Sequence, residues 1–346
     1  MSEKARTAIG YDAFCLKHDP GESHPEHPLR LTALQPVITG AWAEPDVVQL
    51  PTRSATIEDI CRVHDQMYVD RIRATAGTTI RLDADTVASP HSYDVALRAS
   101  GALLEAVDSV FDARADNAFV AVRPPGHHAE PTHAMGFCFF NSIAVAARYA
   151  QTTYGIRRVA IVDFDVHHGN GTQSAFWDDP DVLFISSHQS PLYPWTGALL
   201  EVGGAGALGM TLNIPLSAGH GDTEYEAIYA TLVSRVLEQH APELILVSAG
   251  MDLMHGDPLA GMNVSAAGVE RIASILVANA AAYAEGRVLF VLEGGYDLTN
   301  LRNGTQACLS ALKAPHRTLG LSAISDPSTL GDGARVLDIW RRYWNL

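Results

Sequence analysis

The chain is short of the features that mark membrane, secreted or nucleic-acid-binding proteins. It has no run of 18 or more uninterrupted apolar residues, so no transmembrane helix is expected. The opening residues, MSEKARTAIGYDAF, lack the apolar core of a signal peptide, which points to the cytoplasm. Cysteine is scarce: Cys15, Cys61, Cys138 and Cys308 stand apart, with no CxxC or CxxH spacing. That excludes a cysteine-type zinc site and favours free thiols in a reducing compartment. Basic residues are also few. Lys and Arg number 24 against 39 Asp and Glu, a net charge of −15, and no Lys/Arg-rich run occurs. Nucleic acid is therefore not an expected partner. The excess acid reads as solubility charge, with a weak pull on cationic partners.

What is present is a large apolar fraction and many histidines. Of 346 residues 47% are apolar and 15 are histidine. The length could hold two domains, but an α/β enzyme of this size forms one unit. With no linker, repeat or low-complexity segment, residues 1–346 read as a single domain, compatible with a homo-oligomer. β-Branched, nearly continuous apolar runs predict strands at 118–122, 158–162, 182–185, 210–214, 244–247 and 288–292. Helical periodicity predicts helices at 93–111, 141–154, 222–240, 265–284 and 299–312, with Ser265 and Asp222 as candidate N-caps. Strands alternating with helices indicate an α/β fold, with a central, mostly parallel sheet and helices on both faces.

In such a sheet, sites form at the carboxyl ends of the strands. Four predicted strands end in polar clusters: RPPGHH at 123–128, DFDVHHG at 163–169, SAGMD at 248–252 and EGGY at 293–296. A shared crevice is the simplest explanation. In DFDVH, strand alternation would put Asp163, Asp165 and His167 on one face and Phe164 and Val166 on the other. Asp165 and His167 then suit a divalent metal, and Asp252 can supply a third ligand. Two carboxylates and three protein ligands leave a position open, as in a catalytic zinc site. Alone, Asp-x-His reads rather as a buried ion pair at a strand end; the neighbouring polar clusters favour the metal. The His127–His128 pair offers a general base. Asp163 can orient one of these histidines, and Asn170 the other more weakly. Tyr296, after two glycines, reads equally as a tyrosine packed at a strand end or as a mobile phenol able to donate to a forming oxyanion. The apolar stretches at 135–140 and 192–194 could line a channel or belong to the core.

These stretches, with HPEHPLR at 24–30, GFCFFN at 136–141, VDFDVHHGNGTQ at 162–173 and GDPL at 256–259, resemble the histone deacetylase family. The likeness is to the zinc-dependent class II type and its bacterial deacetylase-like amidohydrolases, and it runs through nearly the whole chain in the family's order. It implies zinc-dependent hydrolysis of N-acetyl-lysine or short N-acyl-lysine in peptides or proteins, with one Zn²⁺ per chain on Asp165, His167 and Asp252. It implies His128 as base beside a positively charged His127, and Tyr296 polarising the carbonyl. Gly136, Phe137 and Tyr193 would line the acyl-lysine tunnel, with Leu259 at its rim. A structural K⁺ would sit among Asp163, Asp165, His167, Ser186 and Ser187, and Arg30 would lie near a product-release cavity. Asn170 stands where class I members have aspartate. An acetylpolyamine amidohydrolase shares this site, but the resembling class IIb polyamine deacetylase has glutamate where Leu259 stands. A binuclear manganese hydrolase would need a further carboxylate set, with Asp257 the one nearby candidate. A non-enzymatic acyl-lysine binder would be expected to lack a ligand, the base or the tyrosine, and the sequence retains all three.

Overall fold

The structure, a computed structural model, describes residues 5–314 and 327–346. Its centre is an eight-stranded, wholly parallel sheet. The strands are β1 (Thr7–Tyr11), β2 (Val47–Gln49), β5 (Asn117–Ala121), β6 (Val159–Asp163), β7 (Val182–Gln189), β8 (Thr211–Leu216), β9 (Leu244–Ala249) and β10 (Val288–Leu292). Their order across the sheet is β2-β1-β5-β10-β9-β6-β7-β8. A separate two-stranded hairpin joins β3 (Ile80–Arg81) to β4 (Val87–Ala88). β6 (VAIVD) and β10 (VLFVL) are buried at every residue, as expected of strands covered on both faces. Helices flank the sheet: Ser92–Phe111 packs on β1 and β5, Ser142–Tyr154 on β6 and β9, and Ala266–Tyr283 on β9 and β10. Among the described residues no helix is long and apolar enough to cross a membrane.

The six strands expected from sequence are present, with ends shifted by a few residues; β7 runs on to Gln189 and so contains Ser186 and Ser187. Asn141 and Ser265 cap their helices by accepting from the amides of Ala144 and Gly268. Asp222 does not cap. Gly221 holds that position, and Glu224 reaches back to its amide, while Asp222 accepts from Ser265 and Arg271 of the neighbouring helix. The helix expected at 222–240 is three pieces, with a π-helical turn at Tyr229–Val233.

The reading of DFDVH as a strand also needs correction. β6 ends at Asp163, its last residue in register with Ser186 and Ser248. Beyond it, Phe164 N still donates to the Ser248 carbonyl of β9, but side chains take the next amides: Asp163 accepts from Asp165 N, Asp165 from His167 N, and Asp252 from Val166 N. Asp163 and Asp165 each close a tight turn on the amide two residues on, and Asp252 reaches across from the neighbouring strand end. The three polar side chains still converge, because these turns aim them and not because a pleat alternates them.

Candidate active site

β5, β10, β9 and β6 are consecutive in the sheet, so the polar segments that follow them meet at one edge. Asp165, His167 and Asp252 each offer a ligand atom within 4.8 Å of the others, and all three are buried. Among the described residues no other group of His, Cys, Asp and Glu gathers in this way. His167 Nδ1 lies 3.2 Å from Asp165 Oδ1 and 3.2 Å from Asp252 Oδ2. Burial disfavours a charged imidazole, yet the two carboxylates push His167 up to about 10; the cluster draws positive charge strongly. Asp252 Oδ2 is buried with no hydrogen bond, which leaves a lone pair for a cation. The backbone is cut away beside it: a Cβ on Gly294 would lie 2.0 Å from Asp252 Oδ2. Two carboxylates and an imidazole, one oxygen orphaned, fit a divalent metal of the zinc type.

The two histidines above this set have different partners. His127 Nδ1 is 2.9 Å from Asp163 Oδ2, and His128 Nδ1 is 2.8 Å from Asn170 Oδ1. Asn170 donates from Nδ2 to Glu130, so its oxygen must face His128. His128 therefore carries its proton on Nδ1 and leaves Nε2 as an acceptor. Burial opposes charge on both rings. At His127 the carboxylates of Asp165, Asp163 and Glu293 overcome it and push the group up to about 10. At His128 burial prevails, reinforced by His127 and His167, and the group falls well below the usual histidine value. One ring is held charged and its neighbour neutral, with centroids 4.0 Å apart.

A cavity of about 230 Å³ opens onto these groups, lined by His128, His167, Phe137, Tyr193, Leu259 and Tyr296 among others. Tyr193 stands edge-on to His128, with centroids 5.2 Å apart, and Phe137 edge-on to Tyr296 at 5.9 Å. The cavity has an apolar shaft, a metal-type cluster at one end, and beside it an acceptor imidazole and a phenol.

The comparisons with known proteins agree with this geometry. Residues 24–312 match the family model described as the histone deacetylase domain. Histone deacetylase 14, chloroplastic, of Arabidopsis thaliana is 38% identical, over 84% of this chain and 73% of that protein. A probable deacetylase of Archaeoglobus fulgidus is 36% identical, over 93% of this chain and 89% of its own length. The crystal structure of the HDA15 HD domain superposes with a TM-score of 0.88 at 34% identity, covering 97% of this chain and 96% of the other. The chain belongs to the histone deacetylase family. It is a hydrolase of the deacetylase type.

Of the residues expected at the deacetylase site, His128, Gly136, Phe137, His167, Tyr193, Leu259 and Tyr296 line the cavity, and Asp163, Asn170, Asp165 and Asp252 contact His127, His128 or His167. Ser186 pairs in register with Asp163, though its hydroxyl bonds His188 and that of Ser187 bonds Tyr229. Arg30 is buried, donating to the carbonyls of Glu293 and Gly295 and lying 4.9 Å from the Tyr296 ring. Tyr296 is not free-swinging: its amide donates to Asp257 and its ring lies against Arg30 and Phe137. Burial and the carboxylates of Asp252 and Asp165 push its phenol well up, outweighing Arg30, so it stays a donor. Asp257 accepts from the amides of Leu259, Tyr296 and Asp297, a brace for the tyrosine loop where the sequence offered a further metal ligand.

Two further carboxylates escaped the sequence reading. Glu293 accepts from the amides of Gly126 and His127 and from the Ser248 hydroxyl. Glu26 pairs with Arg123, Arg30 and His18 under the same loops. A carboxylate closing a fully buried parallel strand was a usable signal for Glu293. At Glu26 the i,i+4 spacing to Arg30 was the one local signal, and the pairing with Arg123, 97 residues on, was out of reach.

The shaft depends on Gly136, which has φ +55 and whose Cβ would lie 2.3 Å from the His128 ring. Gly136→Ala is expected to displace that ring and lower deacetylase kcat/KM on the order of 10²-fold, with metal content unchanged. Steady-state kinetics with metal analysis checks this; near-normal turnover would contradict it.

Proposed function

We propose that the protein hydrolyses the amide of N-acetyl-lysine, or lysine with another short acyl group, releasing the acid and the free amine. The observation that carries this reading is the pairing of a three-ligand cluster with two histidines of opposite charge state, at the end of an apolar shaft. One Zn²⁺ per chain, held by Asp165, His167 and Asp252, would supply Lewis acidity and lower the pKa of water.

The chain's own groups do the rest. His128, neutral and with a free Nε2, takes the proton of the attacking water. Asn170, a neutral partner, keeps that ring a base and not a cation. His127, held as imidazolium by Asp163, stabilises negative charge nearby, and a protonated histidine returns the proton to the leaving amine. Tyr296 donates its O–H to the developing oxyanion, and Asp257 and Arg30 hold the loop that carries it. Gly136, Phe137 and Tyr193 exclude water from the lysine stem. A K⁺ among Asp163, Asp165, His167, Ser186 and Ser187 would offset the buried carboxylates beneath. The archaeal relative supports a cytoplasmic enzyme.

The second reading, an acetylpolyamine amidohydrolase, is favoured by the net charge of −15 but opposed by Leu259 on the cavity wall. A leucine gives a second amine no counter-charge, and the diffuse surface charge is screened beyond about 8–10 Å.

Acetate release from acetyl-lysine peptides and from N-acetylated spermidine or putrescine tests the proposal. The peptides are expected to have the higher kcat/KM; preference for the polyamine would replace the reading with its alternative. Leu259→Glu should move the ratio toward the polyamine by about tenfold, about 1.4 kcal/mol, and an unmoved ratio would remove Leu259 from substrate selection. Tyr296→Phe should keep fold and metal but lose on the order of 10²–10³ in kcat; near-normal kcat would remove its oxyanion role.

A further inference from the structure

A second, larger cavity of about 470 Å³ lies outside the shaft. Two segments of chain run from one to the other. On the turn between β3 and β4, Asp83 lines the outer cavity and Asp85 the shaft. On the segment after the histidine pair, His133 and Ala134 line the outer cavity, and Gly136 and Phe137 the shaft. Two residues of chain span at most about 7 Å, so the outer cavity opens immediately beside the mouth.

Its chemistry differs from that of the rest of the acidic molecule. Ile72, Ile80 and Leu82 give it an apolar floor, and Arg71 and Arg81 bring two positive charges. Both arginines are exposed, and the hydrogen bonds they make are to main-chain carbonyls, Arg71 to Thr132 and Arg81 to Ala84. Among the described residues no carboxylate lies within ion-pair distance of either. The opposing charge in the lining is Asp83, whose carboxylate already accepts from the amides of Asp85 and Thr86. His133 bonds to Thr132.

We infer that this cavity is a subsite for the peptide segment flanking the acyl-lysine, and that it selects an acidic side chain next to the modified residue. The inference rests on the acyl-lysine reading of the shaft. With the lysine stem in the shaft, the peptide backbone lies at its mouth. Each further residue of an extended peptide advances about 3.3 Å, so the first or second neighbour reaches the outer cavity. There its aliphatic carbons meet the apolar floor and its carboxylate meets Arg71 and Arg81. Arginine suits this task, because its planar fork matches a carboxylate and it is always charged. A lysine at the same position would face two like charges.

The test uses the unmodified, metal-loaded enzyme and three sets of substrates. One is ε-acetyl-lysine capped at both ends, with no flanking residue. The others are short peptides with Glu or with Lys at each of the two positions on either side of acetyl-lysine. The expected result is a kcat/KM about fivefold higher for Glu than for Lys at one or more of these positions, the size of a partly exposed charge pair. In the double variant Arg71→Glu, Arg81→Glu the Glu-to-Lys ratio should invert. The ratio within one protein is read, so a general loss of activity cancels. Equal rates for the two flanks, a preference for Lys, or a ratio unmoved by the double variant overturns the subsite while leaving the deacetylase reading intact, provided the capped substrate is hydrolysed. Failure to hydrolyse the capped substrate and every peptide overturns both.

Discussion

Four carboxylates, Asp163, Asp165, Asp252 and Glu293, are removed from solvent at the ends of three adjacent strands, and the site is organised around offsetting that charge. Each buried ion costs several kcal/mol unless it is paired and hydrogen-bonded. Backbone amides meet part of the demand. Asp163 takes Asp165 N, Asp165 takes His167 N and Gly294 N, Asp252 takes Val166 N, and Glu293 takes Gly126 N and His127 N. Histidines meet another part: the carboxylates push His127 and His167 up, while His128, over a neutral amide, is pushed down by burial. The oxygen left without a hydrogen bond, Asp252 Oδ2, faces the place where a cation completes the balance.

The same constraint shapes the loops. The amides accepted by these carboxylates belong to the segments that carry the working side chains, so charge compensation and positioning are one set of bonds. Glycines stand where a side chain would intrude: a Cβ on Gly294 would strike Asp252 and Asp165, and one on Gly250 would strike Asp165. Arg30 ties the Glu293 and Gly295 carbonyls to Glu26, and Glu26 ties them to Arg123 at the head of the histidine turn. A change deep in this network would therefore be felt at the tyrosine loop and at the histidine pair together.

Much of this was legible in the sequence because the central strands are nearly all apolar and their polar clusters come at their ends. β1 and β2 were missed: TAIGY mixes threonine and glycine into a five-residue run, and VVQ is three residues long at the sheet's edge. The residues read from DFDVH do converge, but for another reason, since alternation stops at Asp163 and carboxylate-closed turns take over. Asp257 accepts backbone amides and Glu26 pairs with Arg123, 97 residues away, roles that the folded chain displays. Asp222 looked like a cap from its place before a helix, but Gly221 and Glu224 already satisfy that end, and the neighbouring helix claims its carboxylate.

The central claim is that the buried carboxylate–histidine cluster holds one zinc ion on which amide hydrolysis depends. The most direct measurement is metal content and acetate release on the same preparations, before and after chelation and after stepwise return of Zn²⁺. The account predicts one equivalent of zinc per chain, activity lost as the metal is removed and restored as the first equivalent returns. Undiminished turnover in fully metal-free protein, or a requirement for two equivalents, would contradict it.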